Sequence, residues 1–449
     1  MKNNKYEIDM CNGTLMDKLI SFALPLMLSG MLQLMFNAVD IIVVGRFTGS
    51  TALAAVGSTT ALISTFTNLF IGVSLGANVL AARFYATGKA KEMSETVHTA
   101  IALAAISGVV MSIIGIAAAR EALVLIDTPD DVIGQAALYL RLYFCGMPFF
   151  MLYNYGAAIL RAVGDTKRPL MYLIIAGSTN AVLDLVLVII FKMGVAGVAI
   201  GTVTSQLISC ILVIRCLMTT ESDYKLRIRD LRIRKYYLLQ ILSVGLPAGI
   251  QSTVINFSNV LLQSSVNSFG EIAMAGYTAA NNILGFLYVS VNSITQACMS
   301  FTSQNYGVRK FKRMDKVLID CMILSVIVSV VIGGGSYILG RQILGIYTNQ
   351  SEVIECGMEI LSISTIPYFL CGIMDMLPGA MRGVGYSAVP MVLSIVGTVG
   401  TRLVWIYGVF PSHRSLYELF ISYPASWFIT IVMQATCLVF VRKKVRNKE

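Results

Sequence analysis

Residues 181–191 read AVLDLVLVIIF, and residues 321–332 read CMILSVIVSVVI. Apart from Asp184 and two serines, every residue in these stretches is apolar. The whole chain of 449 residues has the same character: 56% of it is hydrophobic, 13% is charged, and its mean hydropathy is +0.75. Soluble domains contain about 25% charged residues, so this composition excludes a water-soluble enzyme. The sequence predicts an all-α polytopic membrane protein.

The number of spans follows from the lengths of the apolar stretches. A helix needs about 20 mainly apolar residues to cross the hydrocarbon core of a membrane. Twelve stretches meet this requirement, near residues 17–45, 51–80, 95–118, 134–158, 170–191, 195–217, 238–265, 272–301, 317–340, 354–379, 388–410 and 416–441. We therefore expect twelve transmembrane helices.

The basic residues indicate the orientation of the chain. Of its 34 lysines and arginines, five fall in the odd-numbered loops (Arg46, Arg120, Lys192, Arg341, Arg414) and two lie within spans (Arg141, Arg402). The remaining 27 lie near the N-terminus, in or beside the even-numbered loops, and in the C-terminal tail. Cytoplasmic loops of membrane proteins carry such an excess. This predicts cytoplasmic termini in the plasma membrane and explains the net charge of +10 without a nucleic-acid partner.

Cysteines and histidines give no sign of a metal centre or cofactor. Most of the nine cysteines lie in apolar spans and no CxxC pair occurs, so we expect small buried side chains. The two histidines, His98 and His413, are too few for a histidine-ligated metal. The polar residues before the first span lack the apolar core of a cleavable signal peptide, and no phosphate-binding loop motif for ATP occurs.

The two halves of the chain resemble each other. LRAVGDTKRP (Leu160–Pro169) matches MRGVGYSAVP (Met381–Pro390), and FTGSTALAAV (Phe47–Val56) matches FGEIAMAGY (Phe269–Tyr277). Gly49 pairs with Gly270, and Arg161 pairs with Arg382, both at an offset of 221 residues. Six spans per half give both halves the same orientation. The repeat therefore predicts two six-helix lobes related by a pseudo-two-fold axis along the membrane normal, a frame typical of alternating-access transporters.

The predicted boundaries place the N-terminal lobe at 1–218, a basic cytoplasmic linker at 219–237 and the C-terminal lobe at 238–449. Within the linker, Lys225–Lys235 reads KLRIRDLRIRK. This alternation is compatible with a short strand or an amphipathic surface helix. Its charge fits a solvated linker, or contact with anionic lipid headgroups.

Polar residues recur at helical spacing inside the N-terminal spans. They include Gln33, Asn37 and Asp40 on the first span, Gly177, Asn180 and Asp184 on the fifth, and Thr202, Ser205, Gln206 and Ser209 on the sixth, with Asn154 on the fourth. A charge at mid-membrane costs roughly 2.5–3.5 kcal/mol, so each carboxylate needs a reason. If the faces converge, their oxygens suit a proton or Na⁺. The alternative for Asp40 is an interfacial pair with Arg46.

The C-terminal spans carry mainly neutral amides. They include Ser252, Asn256, Asn259 and Gln263 on the seventh span, and Asn281, Tyr288, Asn292 and Thr295 on the eighth. These amides either join helices by hydrogen bonds or line a cavity. The acidic candidates, Asp375 and Glu359, either serve transport or balance an arginine such as Arg402. The predicted substrate-lining residues are Gln33, Asn37, Gln206, Asn256, Asn259, Asn292 and Asp375.

Three stretches resemble the multidrug and toxic compound extrusion (MATE) family. They are LPLMLSGMLQLMFNAVDIIVVGRFTGSTALAAVG (Leu24–Gly57), LRAVGDTKRP and STNAVLDLVLV (Ser178–Val188), in the family's order and spacing. The resemblance implies two lobes in a V and export of organic cations in exchange for Na⁺ or H⁺, without enzymatic activity or a cofactor. The expected partners are the lipid bilayer and small organic substrates, and we expect a monomer.

The resemblance also implies which residues bind the coupling ion. In the branch with a cation site in the N-terminal lobe, the matching positions are Asp40, Asn180 and Asp184, with Thr202 and Asn154. Other members carry an acidic pair on the seventh and tenth helices. This sequence departs from that pattern, because its seventh span has no acidic residue. The rival functions are a lipid-linked saccharide flippase of the same superfamily and a membrane-embedded lipid transferase.

Overall fold

The computed structural model describes residues 6–412 and 414–447, so His413 lies outside the described residues. The described chain consists of helices joined by short loops. In chain order the helices are α1 Met16–Phe47, α2 Ser50–Ala86, α3 Ala90–Leu125, α4 Asp130–Cys145, α5 Met147–Ala162, α6 Lys167–Ile190, α7 Gly194–Thr219, α8 Lys235–Asn267, α9 Glu271–Gly307, α10 Phe311–Ile338, α11 Gly340–Tyr347, α12 Ser351–Thr365, α13 Tyr368–Gly383, α14 Ala388–Ser412 and α15 Leu416–Arg446.

The helix lengths confirm the predicted membrane architecture. Within the described part of the chain, ten helices are long and apolar enough to cross a membrane. Two further pairs qualify when each pair counts as one span, α4 with α5 and α12 with α13, which are bent by 47° and 46°. The bends lie beside Pro148 and Pro367, where the missing amide hydrogen weakens the helix. The chain is thus an all-α polytopic membrane protein with up to twelve spans.

Contacts divide the chain into two compact units. The first contains Leu28–Gly249 and the N-terminal segment up to Ile8, and the second contains Asp9–Met27 and the chain from Ile250 onward. These units differ from the predicted boundaries at 218 and 238, because α1 and α8 each contribute residues to both. The lobe boundaries and the symmetry axis stay predictions.

The linker is bound to the first unit rather than free in solvent. It contains one 3₁₀ turn, Ile228–Asp230, so neither a strand nor an amphipathic helix forms over Lys225–Lys235. The Arg227 amide donates to His98 Nε2 over 3.0 Å, and His98 Nδ1 lies 2.6 Å from the carbonyl oxygen of Ser94. Arg232 and Arg234 each form a salt bridge with Glu95. The linker charges therefore also have a structural role on α3.

A buried polar cluster joins the linker to the start of the chain within the first unit. Tyr85 and Tyr224 donate hydroxyl hydrogen bonds to the Glu7 carboxylate over 2.7 and 2.8 Å. Arg168 pairs with the fully buried Asp165. Burial raises the pKa of the Tyr224 hydroxyl and of the Asp165 carboxyl, although Arg168 opposes the second shift. Tyr224 is thereby held in its neutral, donating form.

Candidate functional site

A cavity of about 420 Å³ lies inside the first unit. Its lining residues come from six helices, α1, α2, α4, α5, α6 and α7. The predicted polar residues that line it are Gln33, Asn37, Asp40, Asn154, Asn180, Thr202, Ser205, Gln206 and Ser209, whereas Asp184 lies behind the lining. The polar faces expected to converge therefore meet in one place.

The two predicted carboxylates are in contact at one side of this cavity. Asp40 on α1 lies within hydrogen-bonding reach of Asp184 on α6, and both side chains are buried. Asn180 donates to Asp184 Oδ1 over 3.3 Å. Asp40 Oδ1 and Asp184 Oδ2 have no hydrogen-bond partner in the described part of the chain. The contacting carboxylates thus include two buried acceptor oxygens without a partner, which a proton or a cation would satisfy.

The alternative pairing of Asp40 with Arg46 is wrong. None of the ion pairs found in the described residues includes Asp40 or Asp184. The reason is geometric: the side chain of Asp40 lies within hydrogen-bonding reach of Asp184 on α6, and Arg46 is not among the groups that act on it. Within the described residues, the carboxylate pair therefore has no basic partner in a salt bridge.

Gly201 on α7 makes the space that Asp184 occupies. A Cβ atom built on Gly201 would overlap Asp184 Oδ1 and come within 3.4 Å of Asn180 Nδ2. A larger residue on this turn of α7 would displace the carboxylate or its amide partner. Gly201 is therefore part of the site, because the absence of a side chain there leaves room for Asp184 and Asn180.

Thr202 and Asn154 lie at the cavity wall with one polar group each already engaged. The Thr202 hydroxyl donates to the Val198 carbonyl oxygen over 3.0 Å, and Asn154 Nδ2 donates to the Phe150 carbonyl oxygen over 2.8 Å. Their side-chain oxygens keep free acceptor positions. Both can therefore contribute oxygens to a cation. The Thr202 hydroxyl has used its one donor hydrogen, whereas the Asn154 amide keeps a second N–H.

Sequence analysis missed the aromatic wall of the cavity. It consists of Phe36, Tyr139, Tyr143, Phe150 and Tyr153. Tyr139 and Tyr143 lie one helical turn apart on α4, a spacing visible in the sequence, but nothing there shows that this face turns toward Asp40. Aromatic faces attract organic cations. The cavity thus joins a cation-attracting wall to Asp40, the carboxylate that contacts Asp184.

The remaining predicted site residues lie in the second unit and do not line this cavity. Asn259 accepts a hydrogen bond from Arg402 Nη1 over 2.8 Å, and Asn292 accepts one from Gln296 over 3.0 Å. Both amides therefore have hydrogen-bond partners, and the Asn259 bond joins two helices, α8 and α14. Asn256 is half-buried on α8.

The acidic candidates of the second unit lie in different surroundings. Asp375 is half-buried on α13, and the charged group that acts on it is Arg382 rather than Arg402. Arg382 in turn donates to Gln251 over 2.6 Å. Glu359 is exposed on α12. Neither carboxylate balances Arg402, so that part of the expectation is wrong.

The described residues contain no group of three or more His, Cys, Asp or Glu side chains arranged to hold a metal. The membrane-spanning helices and the cavity that contains Asp40 are those of a membrane transporter rather than an enzyme. The MatE family model matches residues 25–186 and again 247–407. The chain belongs to the MATE family of transporters, and the double match starts 222 residues apart, as the internal repeat requires.

Curated relatives match the chain over most of their own length. The chain is 29% identical over 434 residues to the "probable multidrug resistance protein YoeA" of Bacillus subtilis, covering 94% of this chain and 93% of the relative. It is 22% identical to the multidrug export protein MepA of Staphylococcus aureus, covering 84% of each.

Solved structures agree in fold. An outward-facing multidrug resistance MATE transporter of the MOP superfamily superposes with a TM-score of 0.89 at 20% identity, covering 100% and 99% of the two chains. A MOP superfamily transporter from Pyrococcus furiosus, described with a binding pocket of reverse polarity, gives 0.87 at 20% identity and covers 100% and 98%. At these identities the likeness shows the fold alone.

Proposed function

We propose that this protein is a secondary active multidrug efflux transporter. It exports organic, often cationic, compounds across the plasma membrane in exchange for H⁺ or Na⁺, by alternating access and as a monomer. Its membership of the MATE family and the names of its relatives support export of varied compounds. The observation that carries the ion coupling is the contact between Asp40 and Asp184 beside an aromatic cavity.

The carboxylate pair is the proposed coupling site, of the kind that binds its cation in the N-terminal lobe. Two buried carboxylates in contact repel each other unless a proton or a cation lies between them. Asn180 fixes the orientation of Asp184, while Thr202 and Asn154 offer further oxygen atoms. An entering H⁺ or Na⁺ neutralises the pair and thereby weakens its attraction for an organic cation in the same cavity. This competition is the physical basis of exchange.

The cavity walls set the class of substrate. Asp40 is the one charged residue among those that line the cavity. A lipid-linked saccharide flippase needs basic groups for its pyrophosphate, so this cavity favours cationic aromatic compounds over that alternative. Gln33, Asn37 and Gln206 supply polar contacts of low specificity, as export of varied compounds requires.

The second unit is proposed to share substrate contact through Asn256, Asn259, Asn292 and Asp375. Asn292→Leu should change which compounds are exported and leave the response to the coupling ion intact, because Asn292 lies in a different unit from Asp40 and Asp184. The measurement compares export of several dyes with ion-dependent thermal stabilisation. Loss of ion stabilisation with unchanged dye preference would contradict this division.

The decisive experiment uses purified protein in liposomes loaded with a fluorescent organic cation. A Na⁺ gradient and a pH gradient are imposed separately, and dye movement is recorded against protein-free liposomes. Movement driven by either gradient supports antiport and identifies the ion. Dye movement that neither gradient alters would remove the coupling from the proposal, and no movement of any dye would remove the export function.

A further inference from the structure

Arg402 in α14 of the second unit is a buried charge that has no counter-ion among the described residues. The residue is only 3% exposed, and its Nη1 donates to Asn259 Oδ1 over 2.8 Å. The guanidinium carbon lies 4.2 Å from the centre of the Tyr423 ring. Its Nε has no hydrogen-bond partner, and no ion pair between described residues includes Arg402. One guanidinium with five N–H donors is thus held by a single hydrogen bond and a ring.

Burying such a charged group without an anion beside it costs free energy of folding. A guanidinium stays charged in proteins, and a buried charge is normally paired or hydrogen-bonded. The local backbone is also unusual: α14 is π-helical over Ile395–Gly400 and again over Trp405–Val409, on both sides of Arg402. Interruptions of this type are frequent at functional sites.

The internal repeat places this charge on the span that corresponds to the Asp184 span of the first half, three residues from the position of that carboxylate. At the repeat offsets of 222 and 221 residues, Asn37 pairs with Asn259, Asp40 with Leu262, Ala181 with Arg402 and Asp184 with Trp405. Each half thus uses the same two spans to build a polar contact. In the first unit that contact joins two carboxylates, and in the second it joins an amide to a guanidinium. The sign of the charge is inverted between the halves.

We propose that Arg402 is an anion-binding residue, which receives a carboxylate or phosphate oxygen of a molecule bound in the second unit. Tyr423 supports the face of the guanidinium and Asn259 holds one edge, which leaves the Nε edge for the anion. The favoured source is the carboxylate of a zwitterionic substrate, and the other source of the same chemistry is a phospholipid headgroup. The substrate source rests on the proposed export function, whereas the anion site itself does not.

The first test uses the unmodified protein. Both tryptophans of the chain lie near the site: Trp405 follows Arg402 by three residues, and the Trp427 ring lies 5.7 Å from the Tyr423 ring. Purified protein is titrated with benzoate and with benzamide, its neutral counterpart, while tryptophan fluorescence is recorded. We expect a saturable change with benzoate that benzamide does not produce. Equal responses to both, or none to benzoate, would overturn the proposal without any mutation.

The second test identifies the source of the anion. Export from liposomes is compared for an aromatic amine with a carboxylate and for its methyl ester, which keeps the amine. Arg402→Gln should lower export of the acid at least about tenfold and spare the ester. Arg141→Gln, at the other arginine predicted within a span but exposed on α4, should change neither. An equal loss of acid and ester would show a structural role and overturn the proposal.

The third test asks whether the anion is a phospholipid headgroup. Thermal stability of wild type and Arg402→Gln is measured in phosphatidylcholine with and without phosphatidylglycerol. Stabilisation by the anionic lipid that the variant loses, with unchanged acid export, assigns the site to a headgroup. Absence of both effects in a folded variant overturns the anion site. Failure of the wild-type protein to export either compound counts against the proposed function instead.

Discussion

At the scale of single residues, Asp184 is the most exacting test of the coupling site. Asp184→Asn removes one of two carboxylates in contact and retains the size of the side chain. Gradient-driven dye efflux should fall to the level of protein-free liposomes, and Asp40→Asn should act in the same way. Thermal stability should be unchanged or higher, because the repulsion between two buried carboxylates is removed.

Asp375→Asn is the matched control, because it removes a carboxylate from the second unit and should have a milder effect. The measurements are efflux and thermal unfolding of each variant. Normal gradient-driven efflux by a well-folded Asp184→Asn protein would exclude this residue from the coupling mechanism.

Gly201 tests the space around the same carboxylate. Gly201→Ala should weaken stabilisation by the coupling ion, because the new Cβ overlaps Asp184 Oδ1. Overpacking of this kind costs about 1–3 kcal/mol, whereas alanine in an open helix position gains about 1 kcal/mol. Gly57→Ala on α2 is the control, since nothing lies within 4 Å of its added Cβ. Thermal shifts with added Na⁺ or at lowered pH measure the effect, and identical behaviour of the two variants would contradict it.

The candidate residues were predictable because helical spacing places Asn180 and Asp184 on one face whatever the surroundings. The sequence could not predict which helix faces meet, because the contacts depend on packing among six helices that are far apart in the sequence. Three features could not be predicted for this reason: the contact between Asp40 and Asp184, the space left by Gly201, and the pairing of Asn259 with Arg402. Composition could not separate an amide that lines a cavity from one that binds an arginine.

At the scale of helices, apolar length predicted the spans closely. The predicted stretch 17–45 is α1, Met16–Phe47, and the stretch 195–217 is α7, Gly194–Thr219. The bends between α4 and α5 and between α12 and α13 were not predicted, because hydropathy averages over the proline that causes each. The π-helical segments in α14 likewise leave hydropathy unchanged, since they alter the hydrogen-bond register and not the composition.

The linker offers a prediction at the same scale. Tyr224→Phe should lower the midpoint of thermal unfolding, with a loss of about 1 kcal/mol, because Glu7 loses one of two hydroxyl donors. Burial raises the Tyr224 pKa, so the neutral hydroxyl is favoured in the folded state. This contribution is fully present below the unfolded pKa of about 10 and is lost as pH rises further through the folded pKa.

Tyr236→Phe is the control, because Tyr236 is 64% exposed on α8. Thermal unfolding of both variants is measured at neutral pH and at alkaline pH. The difference between Tyr224→Phe and wild type should shrink at alkaline pH, and the control should match wild type throughout. Equal midpoints for both variants at neutral pH would show that the Glu7 contact does not stabilise the linker.

At the scale of the whole molecule, the orientation in the membrane rests on the distribution of basic residues. Five lysines and arginines on one side against 27 on the other favour cytoplasmic even-numbered loops.

Single cysteines are placed in a background without the nine native ones, at Asp130, Glu352 and Ser412 and at Lys91, Arg229 and Lys312. All six side chains are exposed, so access depends on the side of the membrane and not on burial. A membrane-impermeant maleimide added to intact cells should label the first three and spare the second three, which should react only after the cells are opened. The Arg229 position is the most informative, since it lies in the segment between the two repeats and must be cytoplasmic if each half contains six spans. Labelling at Arg229 in intact cells would contradict both the orientation and the even number of spans in the first half.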